Sequence, residues 1–153
     1  MNARLKELLA EARAEAEDVE ESLQPPAHER DIGKLKNEAK VKLGADLPDD
    51  YLAFLREANG FTLDDLTIYA SESTPHATYP ESTIEGFVKM NFQHRETKRC
   101  GDFLIFGEAS KLDLYTQRIS TGEFQILDHS TLSLTKTVPT FDEMMIEALE
   151  IVM

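Results

Sequence analysis

Residues 47–61 read LPDDYLAFLREANGF. Pro48 suits the first turn of a helix, where a backbone N–H would have no partner. Asp49 and Asp50 place negative charge at the positive end of the helix dipole. Tyr51, Leu52, Phe54, Leu55 and Ala58 recur at helical spacings and make a wide apolar face. Asn59-Gly60 can take the left-handed conformation that stops a helix. The stretch predicts a core helix with a sharp exit, in which each buried side chain contributes about 1.5–3 kcal/mol before entropy is subtracted. None of its residues has reactive chemistry.

Toward the N-terminus, Leu5, Leu8, Leu9, Ala12, Ala16, Val19 and Leu23 step by three and four. They predict an amphipathic helix from about 2 to 23, ended by Pro25-Pro26. A second helix is expected over 30–43, with Ile32, Leu35, Ala39 and Leu43 inward and Gly44 as its stop. After Gly60 the pattern changes. Leu66–Ala70 is rich in strand formers, and a polar loop, SESTPHATYPE, follows it. Ser82-Thr-Ile-Glu85 has the form of a capping box. With Ile84, Phe87, Val88 and Phe92 it predicts a helix, although the even-numbered apolar positions also suit a strand.

Three or four strands then follow, at 102–106, 112–116, 123–127 and, as the fourth, 132–138, separated by short turns that favour an antiparallel meander. Thr140-Phe-Asp-Glu143 is another capping box. It opens a helix carrying Met144, Met145, Ala148, Leu149 and Val152 on one face. The fold class is therefore α+β. N-terminal helices precede a mainly antiparallel twisted sheet, and a C-terminal helix packs on that sheet. One domain is expected over 1–153, with 1–24 as a helical extension.

The chain has 153 residues, enough to bury roughly 70% of its unfolded surface. It carries 29 acidic and 16 basic residues, a formal charge of −13. Such a surface repels nucleic acid and anionic lipid and attracts basic partners. Basic residues run through 30–42 (Arg30, Lys34, Lys36, Lys40, Lys42) and 89–99 (Lys89, Arg95, Lys98, Arg99) without interleaved aromatics, so both runs read as solvated faces. The single cysteine, Cys100, excludes an internal disulfide and fits a reducing compartment. MNARLKELLAEARAEAEDVEES lacks the apolar core of a signal peptide, and no stretch is long enough to span a bilayer. A cytoplasmic protein is expected.

A search for chemistry finds little. The phosphate-cradling patterns GxxxxGKS/T and GxGxxG are absent, as are HExxH and paired CxxC. His94 and Cys100 share the segment 92–101, but two ligands do not make a zinc site. Asp128-His129-Ser130 holds the residue types of a hydrolase triad, yet three neighbours cannot point at one another. The carboxylate pairs Asp64-Asp65, Glu81 with Glu85 and Glu108 with Asp113 read as solvated acids. No catalytic residue, metal or cofactor is expected.

The order Glu38…Leu43-Gly44…Leu47-Pro48…Tyr51…Phe54-Leu55…Asn59-Gly60 resembles the signature of the SUKH superfamily, the SMI/KNR-like domains. Phe103-Leu-Ile-Phe-Gly107, Asp113-Leu-Tyr115 and Thr121-Gly122-Glu-Phe124 are similar to the family's sheet, and Phe141-Asp-Glu-Met-Met145 to its terminal helix. The N-terminal helix and Asn59-Gly-Phe61, Leu66 and Ile68-Tyr69 resemble the YrhA-like branch. Many members carry Trp after Asn-Gly, and this chain has none.

The resemblance implies an immunity protein that neutralises a bacterial polymorphic toxin by direct contact, without catalytic residues. A basic nuclease domain is one such toxin. A regulatory scaffold that binds a host protein is the alternative, with the 2–23 helix as its docking surface. For either, the expected contacts are acids in exposed loops near the sheet: Asp64, Asp65, Glu72, Glu81, Glu108 and Asp113.

Overall fold

The computed structural model describes residues 1–98, 100–110 and 112–153, without the side chain of Lys98. Arg99, part of the basic run at 89–99, and the side chain of Lys98 therefore lie outside the described residues. The helices are α1 (Ala3–Asp18), α2 (Glu29–Glu38), α3 (Asp49–Glu57), α4 (Phe87–Lys98) and α5 (Phe141–Val152). The strands are β1 (Phe61–Leu63), β2 (Leu66–Ile68), β3 (Thr74–Pro75), β4 (Thr83–Ile84), β5 (Phe103–Ala109), β6 (Asp113–Arg118), β7 (Phe124–Asp128) and β8 (Leu134–Val138). Six of them form one antiparallel sheet in the order β1-β2-β5-β6-β7-β8, and β3 and β4 pair separately. The α+β architecture expected from the sequence is the one observed.

The quoted helix is the centre of the core. Tyr51, Leu52, Phe54 and Leu55 of α3 are buried. The Tyr51 ring packs 4.9 Å from Phe106, 5.3 Å from Phe87 and 5.7 Å from Phe141. This joins α3 to β5, α4 and α5 through aromatic contacts of favourable geometry. The Tyr51 hydroxyl donates to Tyr69 O at 2.8 Å, so the phenol is buried without an orphaned polar group. Burial pushes its pKa well up.

A bulge in β5 places Phe106 in that cluster. Ile105 faces Thr116 and Gly107 faces Tyr115, so Phe106 is the extra residue, and a bulge re-aims the side chain it carries. At Gly107 a Cβ would lie 2.4 Å from Thr67 O, so only glycine lets β2 approach so closely. Beyond the reach of β2, a side chain completes the ladder. Asn91 of α4 accepts from Ile105 N and donates to Ile105 O, both at 2.8 Å.

Several expected elements differ in extent or kind. α1 ends at Asp18, ahead of the prolines, and Glu20 turns with φ +60°. Leu5, Leu8, Leu9 and Ala12 are buried and the helix packs on α5, whereas Val19 is 65% exposed. The 30–43 helix changes to a π-helical turn at Ala39–Leu43. Ser82–Glu85 does not cap a helix. Thr83-Ile84 pairs with Thr74-Pro75 instead, and α4 starts only at Phe87. Phe61–Leu63 is a strand that the sequence reading does not assign. Thr140 does cap α5, accepting from Glu143 N at 3.1 Å.

Replacing Asn91 removes both partners of a buried peptide unit. Asn91→Ala should destabilise the chain by about 2–4 kcal/mol, since each unsatisfied buried group costs about 1–3 kcal/mol. Phe92→Ala, on the exposed face of the same helix, should stay within about 0.5 kcal/mol. Urea unfolding checks both.

Candidate partner-binding groove

Two adjoining cavities run along β1. The first, about 300 Å³, lies between α1 and β1 and includes Glu15, Ala16, Val19, Leu23, Phe61 and Thr62 among its lining residues. The second, about 370 Å³, lies between β1 and the 76–84 segment and includes Asp64, Tyr79, Ser82 and Ile84. Glu21, Thr62, Leu63 and His76 line both. Local chemistry accounts for the walls. Gln24 donates to Pro75 O and accepts from Ala77 N, and Ser22 N donates to Thr78 Oγ1, so the 22–24 segment is fastened to the 75–78 loop. His76 Nδ1 accepts from Thr78 N and Tyr79 N at 3.0 and 3.1 Å, which leaves the ring proton on Nε2. Asp64 turns the β1–β2 hairpin with φ +51°, a conformation that aspartate tolerates.

The groove combines an apolar floor with uncompensated negative charge. Val19 and Tyr79, 65% and 46% exposed, are two of the large apolar side chains left open on the surface. Among the described residues, no lysine or arginine lines either cavity. Glu15, Glu21 and Asp64 form no ion pair among the described residues, although Glu21 accepts from the Tyr79 hydroxyl at 2.5 Å. Asp65 shares the exposed hairpin turn with Asp64, and Glu81 lies on the loop beside Tyr79.

The other three expected acids lie elsewhere. Glu72 lines a separate groove beside α2, where Lys34 Nζ lies 3.3 Å away. Glu108 is not a loop residue. It is half-buried on β5 and accepts from His129 Nε2 at 3.1 Å, with His94 Nε2 3.8 Å away. Tyr69 Oη lies 2.8 Å from the same His94 nitrogen, and burial with Glu108 nearby holds the phenol protonated. This network of Tyr69, His94, Glu108 and His129 draws on four segments, so no local motif announces it. It lines neither groove. Cys100 is buried, 3% exposed. Among the described residues, no cluster of three or more His, Cys, Asp or Glu is arranged to hold a metal ion, and no helix is long and apolar enough to cross a membrane. The Asp128 carboxylate accepts from Ser130 N and Thr131 N.

Asp113 sits at a strand end directly across from Asp128. Partial burial, then the Asp128 charge, raises its pKa. An acid with a raised folded pKa destabilises the native state once ionised. That penalty is absent below its unfolded value near 3.8, grows as pH rises, and is complete above the folded value. Asp113→Asn should therefore raise Tm at pH 7 and leave it nearly unchanged at pH 3, measured by calorimetry.

No protein-family model matches the chain, and no curated protein matches it.

Proposed function

We propose that this chain is a SUKH-type immunity protein, a non-catalytic domain of the cytoplasm that binds a toxin and blocks it by direct contact. The observation that carries the reading is the β1 groove, in which Glu15, Glu21 and Asp64 surround apolar side chains and, among the described residues, no lysine or arginine lines it. Some acids elsewhere on the surface have a cationic neighbour: Lys34 serves Glu72, Arg56 serves Glu29 and Lys89 serves Glu85. Unpaired carboxylates around exposed apolar surface favour a cationic protein partner, and a nuclease domain with a basic active site has that chemistry. The −13 charge would steer such a partner in and speed the encounter. The helix, meander and terminal helix follow the order that the SUKH resemblance implies.

The test is co-expression with candidate toxin domains taken from the genes adjacent to this one. Host survival and a stable complex are expected. The triple variant Glu15→Lys, Glu21→Lys, Asp64→Lys should fold normally and associate about tenfold or more slowly at low salt. Absence of both protection and complex would end the proposal.

A further inference from the structure

We infer that the groove holds its partner by strand addition: an extended, basic segment of the partner pairs with the free edge of β1. This rests on the reading of the groove as the partner surface and specifies how the partner is held. The sheet has two outer strands, β1 and β8. β8 carries Lys136 at its centre, tied to Glu147 of α5, and Pro139 follows it. A lysine and a proline are devices that blunt an edge against pairing. β1 has neither.

The register identifies the open groups. Ser110 N donates to Asp65 O, and Tyr69 N donates to Phe106 O. Odd-numbered residues here therefore turn their backbone groups toward β5. By alternation, Leu66 and Ile68 turn theirs toward β1, opposite Leu63 and Phe61. The same alternation directs Thr62 N–H and C=O away from the sheet. Among the described residues neither has a hydrogen-bond partner, and Thr62 lines both cavities. An incoming strand would place alternate side chains on opposite sides. A segment alternating apolar and basic residues would meet the floor at Val19 and Leu23 with one set. The other set would meet the carboxylates of Glu15, Glu21 and Asp64.

The probe is a blocked peptide of about six residues alternating lysine and valine, the usual length of a strand. It is titrated into the isotope-labelled full chain at low salt and followed by NMR. Saturable shifts are expected at Thr62, Asp64 and His76 and none at Leu134–Val138. Thr62→Pro, tolerated where an edge N–H points outward, should weaken binding about fivefold or more. The fully N-methylated peptide should lose at least as much, and this arm leaves the protein unaltered should the proline variant not fold.

Equal binding of the N-methylated peptide would overturn strand addition, since charge and apolar contact alone would then hold the segment. Shifts centred on β8, or no saturable binding, would overturn it as well. Neutralisation of the toxin by the unaltered chain is read separately, so this inference can fail while the immunity reading stands.

Discussion

The corner at Asn59-Gly60 is the constraint on which the rest of the surface depends. Gly60 has φ +89°, and a Cβ there would meet Ile84 Cγ2 at 2.8 Å and Ala70 Cβ at 3.0 Å. Any larger residue would be strained in its backbone and would also push those side chains apart. Asn59 fastens the corner on two sides. Its N–H donates to Pro25 O, and its Oδ1 accepts from Ser71 N at 2.8 Å. The link between α1 and α2, the exit from β2 and the β4 strand are thus gathered at the start of β1. The stop signal of one helix is also the joint that sets β1 between the walls of the groove.

The groups that stabilise the fold and those of the proposed recognition surface lie in different parts of the molecule. The apolar interior around Tyr51, Phe87, Phe106 and Phe141 holds the elements together, and the polar groups of Tyr51 and Asn91 within it are satisfied internally. Asn91 closes the ladder at Ile105, and the phenol of Tyr51 is taken up by Tyr69 O. The proposed recognition surface uses exposed groups: the carboxylates of Glu15, Glu21 and Asp64, an open strand edge and the exposed end of α1. That helix divides the roles along its length. Its first half packs on α5, and Val19, just past its last turn, stands over the groove.

Much of the framework was legible in the sequence because it rests on local signals. The α3 stripe, the Thr140 cap and the four-strand meander each repeat a period over several residues. What escaped lacked such repetition. β1 has three residues, too few to establish a period, although the Asp-Asp pair between Phe61-Thr-Leu and Leu66-Thr-Ile marks a two-residue hairpin turn. The capping-box pattern at Ser82 was misleading because Thr83-Ile84 found a partner strand in Thr74-Pro75. The groove was half legible. Asp64, Asp65 and Glu81 were found as exposed acids. Glu15, Glu21, Thr62, His76 and Tyr79 come together only through the Asn59-Gly60 corner and the 22–24 contacts. Glu108 and Asp113 were misjudged because composition cannot distinguish an acid facing histidines, or another acid, from one facing water.

The central claim is that the partner is held along β1. Amide hydrogen exchange on the full chain, alone and saturated with the alternating lysine–valine peptide, addresses it directly. The account predicts new protection at Thr62 and across the 76–84 segment, with exchange at Leu134–Val138 unchanged. Protection confined to β8, or to the separate groove beside Lys34 and Glu72, would contradict it.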